Sequence, residues 1–279
     1  MQIFATLYLA SVLNRDGHFA LLKRLGYKPE LYFNTGWDAL DASAHRETAR
    51  IVNGELGGCG VHLPYGGMLP GSPDPARAGR ETLRRAAGIA SLYDPAHLVG
   101  HVCFRPLADS EAAPAKHLAM GPGDLEGPLA RPSEAFLENS LASWKPVMEN
   151  CPGRLFLENT SDRSPCAVRR LLDLLPPGRA GMCLDIGHWH HSGMGVGWRN
   201  LGRWLDIAGD RVGHLHIHDN DGSADQHLPL GAGRIDFAEV WRLVAERGLD
   251  PSATVENHDP EGLAASGRYL AAHPYPPAV

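Results

Sequence analysis

The residues best suited to do chemistry lie in Gly213-His214-Leu215-His216-Ile217-His218-Asp219-Asn220-Asp221, followed closely by Asp225-Gln226-His227. Side chains of a strand alternate, so His214, His216 and His218 fall on one face and Leu215 and Ile217 on the other. Three imidazoles on a buried face are costly unless something binds them. A divalent metal is the simplest partner, because neutral imidazole is the commonest nitrogen ligand and the carboxylates of Asp219, Asp221 and Asp225 follow within the same turn. Asp225 and His227 are two apart, and in an extended segment both can reach one ion.

The elements that must position these residues follow a repeating order. Strands are expected at Ile3 to Ala10, Glu30 to Asn34, Gly60 to Tyr65, His97 to Phe104, Arg154 to Thr160, Gly181 to His188, Gly213 to His218 and Ala253 to Glu256. Helical spacing of apolar residues fills the gaps: Arg15 to Leu25, Trp37 to Leu56, Ala76 to Leu92, Ser133 to Met148, Pro165 to Leu175, Asn200 to Ala208, Phe237 to Arg247 and Gly262 to Ala272. His190 to Gly197 reads as loop. This alternation predicts an α/β protein with one (β/α)8 TIM barrel domain over 1–279, a long βα loop at 106–132 and a tail at 273–279. The long loop reads as a lid or wall over the site, or as a surface insertion.

In a barrel of this type the active site lies at the carboxyl ends of the strands. From the third strand onward those ends carry His62, His101, Glu158, Asp185 with His188, His216 with Asp225 and His227, and Glu256. Unpaired carboxylates converging on one mouth would repel one another and raise their pKa values. A cation removes that conflict.

The 279 residues are 43% hydrophobic and 21% charged, the composition of an ordinary globule. The formal charge of −6 argues against a surface built for nucleic acid. Five cysteines form no C-x-x-C pair and read as small core residues of a reducing compartment, without disulfides. The apolar run from Ile3 to Leu13 has no cationic flank before it, and no run reaches the roughly 18 residues a membrane span needs. A cytoplasmic location is expected.

The motifs Val61-His62-Leu63-Pro64-Tyr65, Leu157-Glu158-Asn159-Thr160, Cys183-Leu184-Asp185-Ile186-Gly187-His188, His216-Ile217-His218-Asp219, Asp225-Gln226-His227 and Val255-Glu256 resemble the xylose isomerase-like TIM barrel superfamily, also called AP endonuclease family 2. The resemblance covers nearly the whole chain. It implies that Glu158, Asp185, His216 and Glu256 hold an ion of Mn, Mg or Co in the sugar isomerases and epimerases. In the three-zinc endonuclease IV pattern, His62, His101 and Glu158 would hold one zinc, Glu158, Asp185, His216 and Glu256 a second, and His188, Asp225 and His227 a third. The choice of His216 over His214 and His218 rests on the family motif. The loop from Asn34 to His45 carries Asp38 and Asp41 but no Arg or Lys, so damaged DNA is a poor substrate.

Two reactions follow from the resemblance. Ligand number ranks first a phosphoester hydrolysis of a small phosphorylated-sugar substrate at a multinuclear zinc site. The alternative is a one-metal sugar or sugar-phosphate isomerase or epimerase in which Glu158 and Glu256 move a proton and His188 contacts substrate.

Overall fold

The computed structural model describes residues 1–33, 36–64, 73–102, 134–160, 165–192 and 200–275. Eight parallel strands close into a barrel in sequence order, β1 Ile3–Leu7, β2 Lys28–Tyr32, β3 Gly60–His62, β4 His97–His101, β5 Arg154–Glu158, β6 Ala180–Asp185, β7 Val212–Ile217 and β8 Ser252–Val255. The last strand pairs with the first through Ala5 and Val255, so no edge is left open. Around them run α1 Leu9–Asn14, α2 Gly17–Leu25, α3 Ala42–Glu55, α4 Pro73–Ala90, α5 Glu134–Asn150, α6 Cys166–Asp173, α7 Ile186–Ser192, α8 Leu201–Ala208, α9 Phe237–Glu246 and α10 Pro260–Ala272. This is the expected (β/α)8 architecture.

Local chemistry explains the boundaries. The strand expected to reach Ala10 stops at Leu7, because Leu9 and Val12 bury at helical spacing in α1. Arg15 then enters the left-handed region at φ 47, and Asp16 starts a new helix by accepting the backbone N–H groups of His18 and Phe19. The helix expected at Arg15 to Leu25 is α2, and α1 is an additional helix ahead of it. Asp41, Asn200, Asp236 and Asp259 cap α3, α8, α9 and α10 in the same way. The sixth strand ends at Asp185 rather than His188, and α7 carries His188, His190 and His191, two of which were expected in a loop.

Two buried regions result. Strand residues such as Leu155, Leu157, Leu184, Leu215 and Ile217 pack outward against the helices as the main core. Val99, Phe156 and Cys183 form a separate small cluster inside the barrel. The interior also holds Glu30, His97, His214 and Thr254, all buried, where branched aliphatic residues are usual. Phe4 meets the His97 ring edge-on at 4.7 Å, and Phe156 stacks on His214 at 5.4 Å. The guanidinium of Arg154 lies 5.0 Å from the Phe156 ring centre.

Cys59, Cys151 and Cys183 are buried free thiols. Cys103, Tyr65, Asn34, Thr35 and the loop at 106–132 lie outside the described residues, as do 193–199 and 276–279. Among the described residues no helix is long and apolar enough to cross a membrane.

Gly60 makes room for this polar interior, since a Cβ at that position would overlap the imidazole of His97. Gly60→Ala is expected to destabilise the fold by about 1–3 kcal/mol, the usual cost of overpacking a tight interior. Urea unfolding measures it, and an unchanged midpoint would show that His97 is not confined as described.

Candidate metal centre

Glu158 and Asp185 end β5 and β6, His216 is the penultimate residue of β7, and Glu256 directly follows β8. Parallel register sets His101 beside Glu158 and Asp185 beside His216. One ligand atom each from Glu158, Asp185, His216 and Glu256 lies within 4.8 Å of the others, and all four residues are buried. His216 Nδ1 is 3.2 Å from Glu256 Oε1, 3.5 Å from Glu158 Oε1 and 3.8 Å from Asp185 Oδ2.

Glu158 faces two ways. Its Oε2 lies 3.1 Å from Nε2 of both His62 and His101. Its Oε1 is turned toward His216 and His188.

A second set adjoins the first. His188, His218, Asp225 and His227 also bring ligand atoms within 4.8 Å of one another. Asp225 Oδ2 is 3.2 Å from His188 Nε2 and 3.3 Å from His227 Nε2. His218 Nε2 lies 3.3 Å from Asp185 Oδ1 and 3.7 Å from Asp225 Oδ1, so it links the two sets. A Cβ on Gly187 would overlap the His218 ring, which explains a glycine there.

Backbone carbonyls orient three of these imidazoles. Nδ1 of His62 donates to Leu63 O at 3.0 Å, Nδ1 of His188 to Asn159 O at 2.9 Å, and Nδ1 of His227 to Glu256 O at 2.9 Å. With Nδ1 protonated, each Nε2 presents its lone pair to a carboxylate, and only a proton or a metal ion between them makes that contact favourable. His227 adopts φ 48 to reach this position, a left-handed conformation costing on the order of 1 kcal/mol, and Asn257 Nδ2 holds its carbonyl at 2.9 Å.

All nine expected ligand positions therefore gather at one mouth, and the alternating His214, His216 and His218 separate by depth. His216 joins the carboxylate set, His218 joins the second set, and His214 points into the barrel floor, bonded to Ser252 Oγ at 2.7 Å and Thr254 Oγ1 at 2.9 Å. Asp219 and Asp221 do not join them. Asp219 is buried and accepts backbone N–H groups from Asn220, Gly231, Gly233 and Ile235. Its carboxylate clamps the loop that carries Asp225 and His227. Asp221 is partly exposed and accepts from Ser223. Sequence reasoning passed over Asn159, which clasps the Asp185 backbone from both sides at 2.9 and 3.1 Å. It also passed over the buried Glu30, whose only sequence signal is a carboxylate between Pro29 and Leu31.

The residues present fit a divalent ion. Glu158 Oε1, Asp185 Oδ2, His216 Nδ1 and both ring nitrogens of His218 are buried without a hydrogen-bond partner. Orphaned atoms of this number and kind are expensive unless a cation takes them up.

In the ion-free protein, burial pushes the Glu158 carboxyl up, but the charges of His101 and His216 outweigh it and hold it well below the usual range. Burial likewise opposes Asp185, which His188 and His218 bring down to about 2. Burial would lower His227, yet Asp225 and Glu256 raise it to about 9. His188 and His216 are also raised well above 6.5 against their burial, His188 chiefly by Asp185 and Asp225, His216 by Cys183, Glu256, Glu30 and Glu158.

An ion must displace these protons. Below its raised pKa each imidazole is protonated and competes with the metal, and the competition fades as pH passes about 9 for His227. Zinc affinity should therefore rise with pH from about 6 to 9, by roughly tenfold per unit for each proton displaced. Competition with a chromogenic chelator across that range measures it, and a pH-independent affinity would contradict protonated ligands.

The fold and site define a parallel (β/α)8 barrel with a candidate metal centre at its carboxyl mouth. The chain belongs to the xylose isomerase-like TIM barrel family, whose model matches residues 19–273. A D-tagatose 3-epimerase-like protein superposes with a TM-score of 0.70 at 20% identity, covering 98% of this chain and 97% of that one. The TTHB071 protein from Thermus thermophilus, soaked with ZnCl2, gives 0.67 at 23% identity, covering 98% and 99%. At such identities the likeness is one of fold. In sequence, the chain is 40% identical over 53 residues to Fructoselysine 3-epimerase of Shigella flexneri, 19% of each protein. The matched segments span less than a third of the length of the curated relatives.

Proposed function

We infer that this protein is a divalent-metal-dependent isomerase or epimerase of a small sugar or sugar phosphate. The observation that carries the reading is the Glu158, Asp185, His216 and Glu256 set, with ligand atoms within 4.8 Å of one another and glutamates at the ends of β5 and β8. Carboxylates at both ends of one centre suit the removal of a proton from a carbon beside a carbonyl and its return from the other side. A divalent ion bound there would polarise the sugar's carbonyl and neighbouring hydroxyl.

The chain's own residues supply the rest. His62 and His101 hold Glu158 by Oε2 and leave Oε1 toward the centre, so this carboxylate is kept in one orientation for proton transfer. Glu256, with Oε1 3.2 Å from His216 Nδ1, is the second proton carrier. His188, tethered through Nδ1 to Asn159 O, is placed to meet a substrate hydroxyl.

The relatives weigh against ranking hydrolysis first. Fructoselysine 3-epimerase and the D-tagatose 3-epimerase-like protein carry epimerase names, which favours the isomerase reading. One observation keeps a multinuclear centre in view, namely the second set of His188, His218, Asp225 and His227. Zinc is the proposed ion if that set is filled, and Mn, Mg or Co serve equally if only the carboxylate set is.

Two measurements test this reading. Metal-loaded protein incubated with ketohexoses and their phosphate esters in heavy water should place deuterium on the carbon beside the carbonyl, and Glu158→Gln or Glu256→Gln should each slow that exchange by about 10²-fold or more. Phosphoester cleavage without exchange would overturn the isomerase reading. Bound zinc per chain, compared between wild type and His227→Ala, separates the nuclearities. A fall of about one equivalent on mutation supports a multinuclear centre, whereas an unchanged value near one supports the single-ion form.

A further inference from the structure

Beneath the metal centre lies a second polar layer that the proposed chemistry does not use. Glu30, on β2, is 1% exposed and far from solvent. Its Oε2 is engaged by His97 Nε2 at 2.8 Å, Thr254 Oγ1 at 2.8 Å and His214 Nε2 at 3.2 Å. Its Oε1 lies 3.0 Å from His216 Nε2. That contact is close, though not yet in line for a hydrogen bond.

The split between the two oxygens matters. Three partners on Oε2 stop the carboxylate from turning and aim Oε1 at the one imidazole whose other nitrogen faces Glu158, Asp185 and Glu256. His216 also differs from His62, His188 and His227. Those three are held by backbone carbonyls on Nδ1 and offer Nε2 to the site. His216 is backed on Nε2 by a carboxylate and offers Nδ1.

We propose that Glu30 is a positioning residue, a buried outer carboxylate that keeps the proton of His216 on Nε2 and so presents the Nδ1 lone pair to the ion. A carboxylate behind a metal-bound imidazole fixes its tautomer and raises its basicity. His97, His214 and Thr254 serve Glu30 by filling its other oxygen. Glu30, His97 and His214 form a compact group in their own right. Their facing atoms already satisfy one another, unlike the orphaned atoms above, so the layer acts as a support and not as a second ion site.

The inference rests on the metal-centre reading, and its test keeps the two apart. Zinc affinity is measured by chelator competition for wild type and Glu30→Gln, with circular dichroism confirming the fold. In the variant, the amide oxygen can take the place of Oε2, which turns the NH2 group toward His216 Nε2 and favours the opposite tautomer. A loss of about 10- to 100-fold in zinc affinity with the fold retained supports the proposal. An affinity within about threefold of wild type overturns it, since loss of an outer-shell partner normally costs more. Wild type that binds no zinc overturns the metal-centre reading and this inference together. If Glu30→Gln does not fold, nitrogen-15 histidine spectra of zinc-loaded wild type decide the matter, with the His216 signals assigned by their loss in His216→Asn. Zinc on Nδ1 with the proton on Nε2 supports the proposal, and zinc on Nε2 overturns it.

Discussion

The structure depends on seating four carboxylates inside a barrel. Glu30, Glu158, Asp185 and Glu256 are all at least nine-tenths buried, and an isolated ion there would cost several kcal/mol. Histidines answer that cost at every position. Glu30 is faced by His97, His214 and His216, Glu158 by His62, His101 and His188, Asp185 by His188 and His218, and Glu256 by His216 and His227. Imidazole suits this role better than lysine or arginine, because it can give its proton up when a metal arrives.

Depth along β7 then divides one pattern into three jobs. Successive inward residues rise through the barrel, with His214 in the floor, His216 at the carboxylate centre and His218 just past the strand at the second set. His216 joins two layers by facing Glu30 with one nitrogen and the mouth with the other. The loop after β7 must return over the mouth to deliver Asp225 and His227. Buried Asp219 makes this possible by accepting N–H groups from Gly231, Gly233 and Ile235.

Much of this was legible in the sequence because a TIM barrel reduces to a rule about strand ends. Once the strands are found, His62, His101, Glu158, Asp185, His216 and Glu256 must meet, whatever the exact boundaries. What escaped is what period two does not encode. Alternation treats His214, His216 and His218 as equals, and only the register of β7 against β6 and β8 sets their depth. Asp219 looks like a ligand beside histidines until the turn at Gly231 and Gly233 folds back onto it. Glu30 sits in a five-residue strand whose Lys28 and Tyr32 are partly exposed, so nothing local marks its carboxylate as buried. Its partners come from β4, β7 and β8, too remote in sequence for any spacing rule to join.

The central claim is that the orphaned atoms at the mouth form an ion site, and diffraction from crystals soaked in zinc tests it most directly. An anomalous peak at the zinc edge bounded by Glu158, Asp185, His216 and Glu256 is the result this account predicts. Zinc bound only elsewhere on the molecule, with these four residues left without an ion, would contradict it.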